Sequence, residues 1–143
     1  MEPTTDQLII LNYSEYPGPR YCDQGDSSGE DFYHEILNPT FSNALKNNHK
    51  LVVTLDGTAG YASSFLDEAF GNLVYDFTEG KVKTNIEIIS NQEPDWKEML
   101  IMKIYPDWER RRLDKKLPKK TTNHSAWFRL DDGNIIKKVW ISL

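Results

Sequence analysis

The stretch that decides the fold is residues 51–71, which read LVVTLDGTAGYASSFLDEAFG. With Lys50, its first residues form a β-branched run (50–55) that predicts a central, buried strand. Residues 56–58, Asp-Gly-Thr, then turn the chain. A helix should follow from Ser63 or Ser64 to Phe77, because apolar side chains recur there at helical spacing: Phe65, Leu66, Ala69, Phe70, Leu73 and Val74.

Outside this stretch, strand and helix patterns alternate along the chain. The predicted elements are a strand over 7–12, a helix from Ser28 that kinks or restarts at 38–39, a strand over 83–89, a helix over 96–112 that Pro106 can split, and strands over 126–130 and 135–143. The Asp-Gly dipeptide between the last two runs is typical of a hairpin. The sequence therefore predicts an α/β fold with a mixed β-sheet, helices packed on it and a C-terminal β-hairpin.

The predicted organisation has two parts. Residues 1–113 form the α/β domain, and residues 114–143 form a basic linker and the hairpin, packed on the domain or on a partner. A two-stranded hairpin is marginally stable alone, so its apolar face needs such a partner surface. The hairpin is therefore also a candidate contact in a homodimer.

Three motifs in this order resemble the signature of STAS-like domains of unknown function. They are residues 18–21 (GPRY), residues 28–32 (SGEDF) and residues 51–71, and the resemblance spans about residues 17–90. The family is named for its similarity to the STAS domains of anti-sigma-factor antagonists. The resemblance implies a prokaryotic or phage regulatory protein that switches partners. It also implies a GHKL-type ATPase or kinase as partner, and it places the antagonists' phosphorylated serine on Ser63.

The start of the predicted helix has two interpretations. Ser63 or Ser64 can simply cap the helix, with Asp67 closing the cap three residues after Ser64. Alternatively, the turn is a site for a phosphate or a partner, since backbone N–H groups and the helix dipole favour negative charge there. On the second interpretation the docking face comprises Tyr61, Ser63, Ser64, Asp67 and Glu68.

The charge is unevenly distributed. Up to Asp95 there are 5 Lys/Arg against 16 Asp/Glu, whereas from Trp96 onward there are 12 against 6. The densest basic run contains Arg110, Arg111, Arg112, Lys115 and Lys116, with Trp108 beside it. It can be a solvated helix end, a protein contact or a nucleic-acid surface. The last option gives the alternative function: a nucleic-acid-associated or phage–host conflict protein that acts through its basic C-terminal third.

The sequence shows no complete catalytic or metal-binding pattern. Cys22 is the single cysteine, and His34, His49 and His124 have no metal-ligand spacing. The acidic residues near Gly25 match no calcium loop. There is also no Gly-x-Ser-x-Gly elbow around Ser63.

We therefore expect a non-catalytic protein without metal or cofactor. Its polar, acidic start lacks the pattern of a signal peptide, so a cytoplasmic location is expected. The predicted function is a regulatory protein-interaction module, phosphorylated on serine.

Overall fold

The computed structural model describes residues 4–143. The strands are β1 (Thr5–Ile9), β2 (Lys50–Thr54), β3 (Ile86–Ile89), β4 (Trp127–Asp131) and β5 (Asn134–Lys138). The helices are α1 (Gly29–Phe32), α2 (Asn38–Lys46), α3 (Ser63–Phe77), α4 (Glu79–Asn85), α5 (Asp95–Met99) and α6 (Tyr105–Leu113). Two π-helical segments, Tyr33–Leu37 and Leu100–Ile104, precede α2 and α6, and short 3₁₀ turns cover Ile10–Asn12 and Cys22–Gln24.

The main sheet has three parallel strands in the order β1-β2-β3. Its central strand is β2, as the β-branched run predicted. Alternate residues of the sheet, Leu51, Val53, Ile86 and Ile88, join the helices in the hydrophobic core. Gln7 and Glu87 flank Val52 on the opposite face and are exposed, so the helices cover one face of the sheet. The α/β class with a separate C-terminal hairpin is confirmed.

Two strands begin and end at residues other than those predicted. β1 begins at Thr5 and ends at Ile9, and Ile10–Asn12 forms a 3₁₀ turn. β3 is only four residues long, because residues 83–85 belong to α4. The Thr78 side chain accepts a hydrogen bond from the Lys81 N–H at 3.3 Å, and this cap begins a helix where a strand was expected.

A kink, restart or split was expected at Pro39 and Pro106. The type of helix changes at the residue before each proline, but the helical stretch continues through it. A π-helical segment ends two residues before each proline, so the Asn38 N–H donates to Tyr33 O and the Tyr105 N–H donates to Leu100 O. This wider turn tolerates the missing N–H and the ring of Pro39 and Pro106, because it relieves the clash that a regular helix would have at these positions. Gly29–Lys46 and Asp95–Leu113 are therefore continuous helical stretches.

The C-terminal hairpin packs on the domain. Trp127 is 2% exposed, and the Asn38 side chain both donates to Phe128 O and accepts from Phe128 N–H, each at 2.9 Å. Arg129 forms an ion pair with the buried Asp76. Asp132 and Gly133 both have positive φ, as a two-residue hairpin turn requires. Among residues 4–143, none of the helices is both long and apolar enough to cross a membrane.

Candidate functional site at the β2–α3 turn

The turn between β2 and α3 lies at the carboxyl end of the parallel strands, the usual ligand-binding edge of such sheets. Its start is tied to the loop after β3: Asp56 accepts hydrogen bonds from the backbone N–H groups of Asn91 and Gln92 at 3.1 and 3.0 Å. Gly57 and Gly60 have φ of 95° and 130°, which side chains other than glycine rarely adopt. The turn is therefore anchored at its first residue and shaped by two glycines.

Helix α3 begins without a side-chain cap, so the prediction of a serine cap is wrong. Ala62 occupies the cap position with extended backbone (φ −83°, ψ 140°), and no side-chain hydrogen bond is made there. Ser63 and Ser64 consequently fall inside the first helical turn, where they cannot act as the cap. Ser63 is exposed and its hydroxyl lies at the positive end of the helix dipole.

Two of the five predicted docking residues are held by contacts within the protein. Asp67 pairs with Arg20 and accepts the indole N–H of Trp108 at 3.0 Å. Glu68 is 1% exposed and accepts a hydrogen bond from Asn72 Nδ2 at 2.7 Å. Burial raises the pKa of Glu68, although Asn72 and nearby cations oppose this. Of the predicted face, Ser63 is therefore exposed, Tyr61, Ser64 and Asp67 are half-buried, and Glu68 is buried.

The cavity beside the turn is small. It has a volume of about 30 Å³ and is bounded by Asp56, Tyr61 and Trp96 among others. Tyr61 is fixed there, since its hydroxyl donates to Leu55 O at 2.6 Å and burial raises its pKa to about 12. A volume of this size holds about one water molecule. What the turn offers to a ligand is therefore its outer surface.

Two residues of the predicted basic surface are engaged in intramolecular contacts. Arg111 lies over the ring of Trp108 at 3.9 Å, and Arg112 forms an ion pair with Glu109. Arg110, Lys115 and Lys116 are exposed, and they carry the remaining charge at the end of α6. A nucleic-acid contact at this end stays a prediction.

Comparison with protein families gives one match: residues 28–96 match the family described as a STAS-like domain of unknown function. These residues are similar to a STAS-like domain, and we refer to them by that name. They run from the cap of α1 through β2, α3, α4 and β3 to the first turn of α5. No curated protein and no solved structure matched the chain. The resemblance inferred from the sequence is confirmed. The β2–α3 turn lies within the matched residues, whereas the basic run at the end of α6 lies after them.

A second polar cluster lies where the C-terminal segment crosses the start of the STAS-like domain. Glu30 is 0% exposed and accepts four hydrogen bonds: from Cys22 N–H (3.0 Å), Thr121 N–H (3.0 Å), Thr121 Oγ1 (2.7 Å) and His124 Nε2 (2.6 Å). These donors hold the pKa of Glu30 well below its usual range, although burial alone would raise it. The carboxylate is therefore ionised, and His124 Nε2 is the donor.

The same cluster contains a stacked histidine pair. The rings of His34 and His124 are 3.6 Å apart and nearly parallel, at 8°. Neither ring nitrogen of His34 has a hydrogen-bond partner among the described residues. Burial, followed by the positive charge of Lys120 and by His124, lowers the pKa of His34 to about 2. His34 is therefore neutral at physiological pH.

Lys120 connects this cluster to α3. It is 6% exposed, and its ammonium donates to Asn72 Oδ1 at 2.8 Å. Burial lowers the pKa of Lys120, while Asp76 and Glu68 oppose the shift. No sequence pattern indicated this network, because Glu30 and His124 are 94 positions apart and helix spacing relates only residues a few positions apart.

Proposed function

We propose that this protein is a non-catalytic regulatory module that binds a protein partner through the β2–α3 turn, with Ser63 as its phosphate acceptor. The observation that carries the proposal is an exposed serine at the uncapped start of a long, buried helix. Of the 15 residues of α3, 12 are buried, so packing from Phe65 onward holds the helix in place. The modification then changes the surface and leaves the core intact.

Electrostatics favours a phosphate at this position. Phosphorylation adds about 1.5 to 2 negative charges, and the free N–H groups and dipole at a helix start stabilise them. Asp67 lies one turn after Ser63 and is paired with Arg20. A phosphate on Ser63 would compete for that guanidinium, so the modification changes both the charge and the hydrogen bonding of the turn.

The proposed partner is a GHKL-type ATPase or kinase, as the resemblance to STAS domains of anti-sigma-factor antagonists implies. Tyr61 and Ser64 are the further contact residues of the proposed docking face.

The test is to incubate the chain with the GHKL-type ATPase encoded nearest to its gene and with ATP, and then to measure intact mass and complex formation. We expect one added phosphate and a complex that differs between the two phosphorylation states. Ser63→Ala should remove the phosphate, and Ser64→Ala, the adjacent control, should keep it. Absence of both phosphate and complex would refute the proposal, and a phosphate lost only in Ser64→Ala would move the site.

A second candidate function rests on the exposed side chains of Arg110, Lys115 and Lys116, which extend from the end of α6 without an ion pair among the described residues. Unpaired cations beside Trp108 suit the phosphate backbone of a nucleic acid. Because two of the five predicted basic residues are already engaged, we rank this candidate second.

A further inference from the structure

The cluster around Glu30 brings together three kinds of metal-ligating atoms. Cys22 Sγ, a carboxylate oxygen of Glu30 and a ring nitrogen of His124 all lie within 4.8 Å of one another. Ligand atoms around a tetrahedral zinc ion are about 3 to 4 Å apart, given bonds of roughly 2.0 to 2.3 Å. The three side chains therefore need to move by less than about 1 Å to share one ion.

We propose that Cys22, Glu30 and His124 form a binding site for a divalent zinc ion. The mixed set of one sulfur, one nitrogen and one oxygen ligand selects this class of ion, because calcium and magnesium prefer oxygen alone. Three protein ligands leave the fourth tetrahedral position for water. The expectation of no metal site rested on the distances between these residues along the sequence. The fold brings Cys22, Glu30 and His124 together although they are far apart in the chain.

The site is held in position by backbone groups. The N–H groups of Cys22 and Thr121 both donate to Glu30, which fixes the carboxylate between the loop before α1 and the C-terminal segment. Such outer hydrogen bonds orient a ligating carboxylate and keep it ionised. The ion would take the place of the proton that now lies between His124 Nε2 and Glu30, at a separation of 2.6 Å.

One of the three ligands borders a surface cavity. The cavity has a volume of about 210 Å³, and Cys22, Asp26 and Asp31 are among the residues that line it. Asp31 is held there by the Tyr13 hydroxyl at 2.6 Å, while Asp26 is exposed. Two carboxylates lining this cavity attract a cation, so the ion can reach the thiol without the core opening.

Proton balance follows from the ligands. Binding releases the Cys22 thiol proton to solvent. A neutral His124 moves its remaining proton from Nε2 to Nδ1, because Nε2 becomes the metal ligand. Glu30 is already ionised and releases none. The ion then joins the 3₁₀ turn at Cys22, the first turn of α1 and the segment at His124, three parts of the chain that are otherwise joined there by hydrogen bonds.

The test uses the untagged, reduced full-length chain and cobalt(II) as a spectroscopic substitute for zinc. We expect one cobalt per chain, visible bands typical of tetrahedral geometry, a thiolate-to-cobalt charge-transfer band, and displacement by one equivalent of zinc. Zinc should also raise the unfolding temperature. Cys22→Ser should abolish the charge-transfer band and weaken binding about a hundred-fold.

His124→Asn should weaken binding to a similar extent, and His49→Asn is the matched control. His49 also pairs with a carboxylate, that of Asp6, but it does not belong to the Cys22–Glu30–His124 cluster, so its variant should bind like the wild type. Circular dichroism checks that each variant is folded. If His124→Asn does not fold, the test rests on Cys22→Ser, because Cys22 is only half-buried. Absence of binding at micromolar metal, or full binding by Cys22→Ser, would overturn the proposal.

Discussion

Gly71 in α3 allows Trp108 in α6 to pack directly on the helix backbone. A Cβ atom added at Gly71 would lie 2.0 Å from Cε2 and 2.1 Å from Nε1 of Trp108. The ring is 2% exposed, donates to Asp67 at 3.0 Å and carries Arg111 on its face. In Gly71→Ala the buried indole must therefore retreat by about 1.5 Å to reach normal contact distance.

The expected cost follows from opposing effects. Overpacking costs about 1–3 kcal/mol, and the weakened hydrogen bond to Asp67 adds about 1 kcal/mol. Alanine in place of glycine in a helix returns roughly 1 kcal/mol. We expect Gly71→Ala to lower the free energy of unfolding by about 2 kcal/mol, equivalent to roughly 4–8 °C in Tm.

The assay is urea unfolding followed by far-UV circular dichroism. Gly80→Ala is the matched control, since its Cβ would meet nothing within 4 Å, and it should be neutral or slightly stabilising. In a Trp108→Leu background the same Gly71→Ala change should cease to destabilise. If Gly71→Ala is as stable as the wild type, the close packing of α3 on α6 is refuted.

Three further predictions concern pH, the hairpin and the basic end. The native pKa of His34 is about 2, below its unfolded value of 6.5, so only the unfolded chain gains this proton as pH falls from 7 to 5. The free energy of unfolding should therefore fall by about 2 kcal/mol from pH 7 to pH 5. In His34→Phe the urea midpoints at the two pH values should converge; if they differ as much as in the wild type, the burial of His34 is contradicted. Asn38→Ala should cost about 2–3 kcal/mol and speed hydrogen exchange at the Phe128 amide, which loses its acceptor; slow exchange there would mean that Asn38 does not hold the hairpin. If the second candidate function holds, the triple variant with alanine at Arg110, Lys115 and Lys116 should lose the gel shift of nucleic acid at low salt. A shift equal to that of the wild type would exclude this surface.

The sequence predicted what local patterns control. The β-branched run gave β2, the apolar spacing gave α3, and the Asp-Gly dipeptide gave the hairpin turn. Local patterns did not predict that Ala62 takes the cap position, because that depends on backbone angles set by the preceding glycine-rich turn. They also did not predict the continuous helices at Pro39 and Pro106, since a π turn has no distinctive sequence.

Long-range contacts account for the rest of the differences. Asp67 and Glu68 were expected on a docking surface. In the structure Asp67 instead contacts Arg20 and Trp108, and Glu68 is buried against Asn72. Of these, only Asn72 lies one turn away on the same helix. The remaining partners come from parts of the chain that helix periodicity cannot relate to α3.

The hydrogen bond between Glu30 and His124 sets the order in which the protein can complete its fold during synthesis. The two residues are 94 positions apart, and ribosomes add about 5–20 residues per second. The STAS-like domain ends at residue 96, so its synthesis is complete about 1–6 s before His124, which satisfies its buried carboxylate, is added. In that interval Glu30 and Asp76 lack their C-terminal partners, so the nascent domain depends on water, or on a chaperone, to shield this surface.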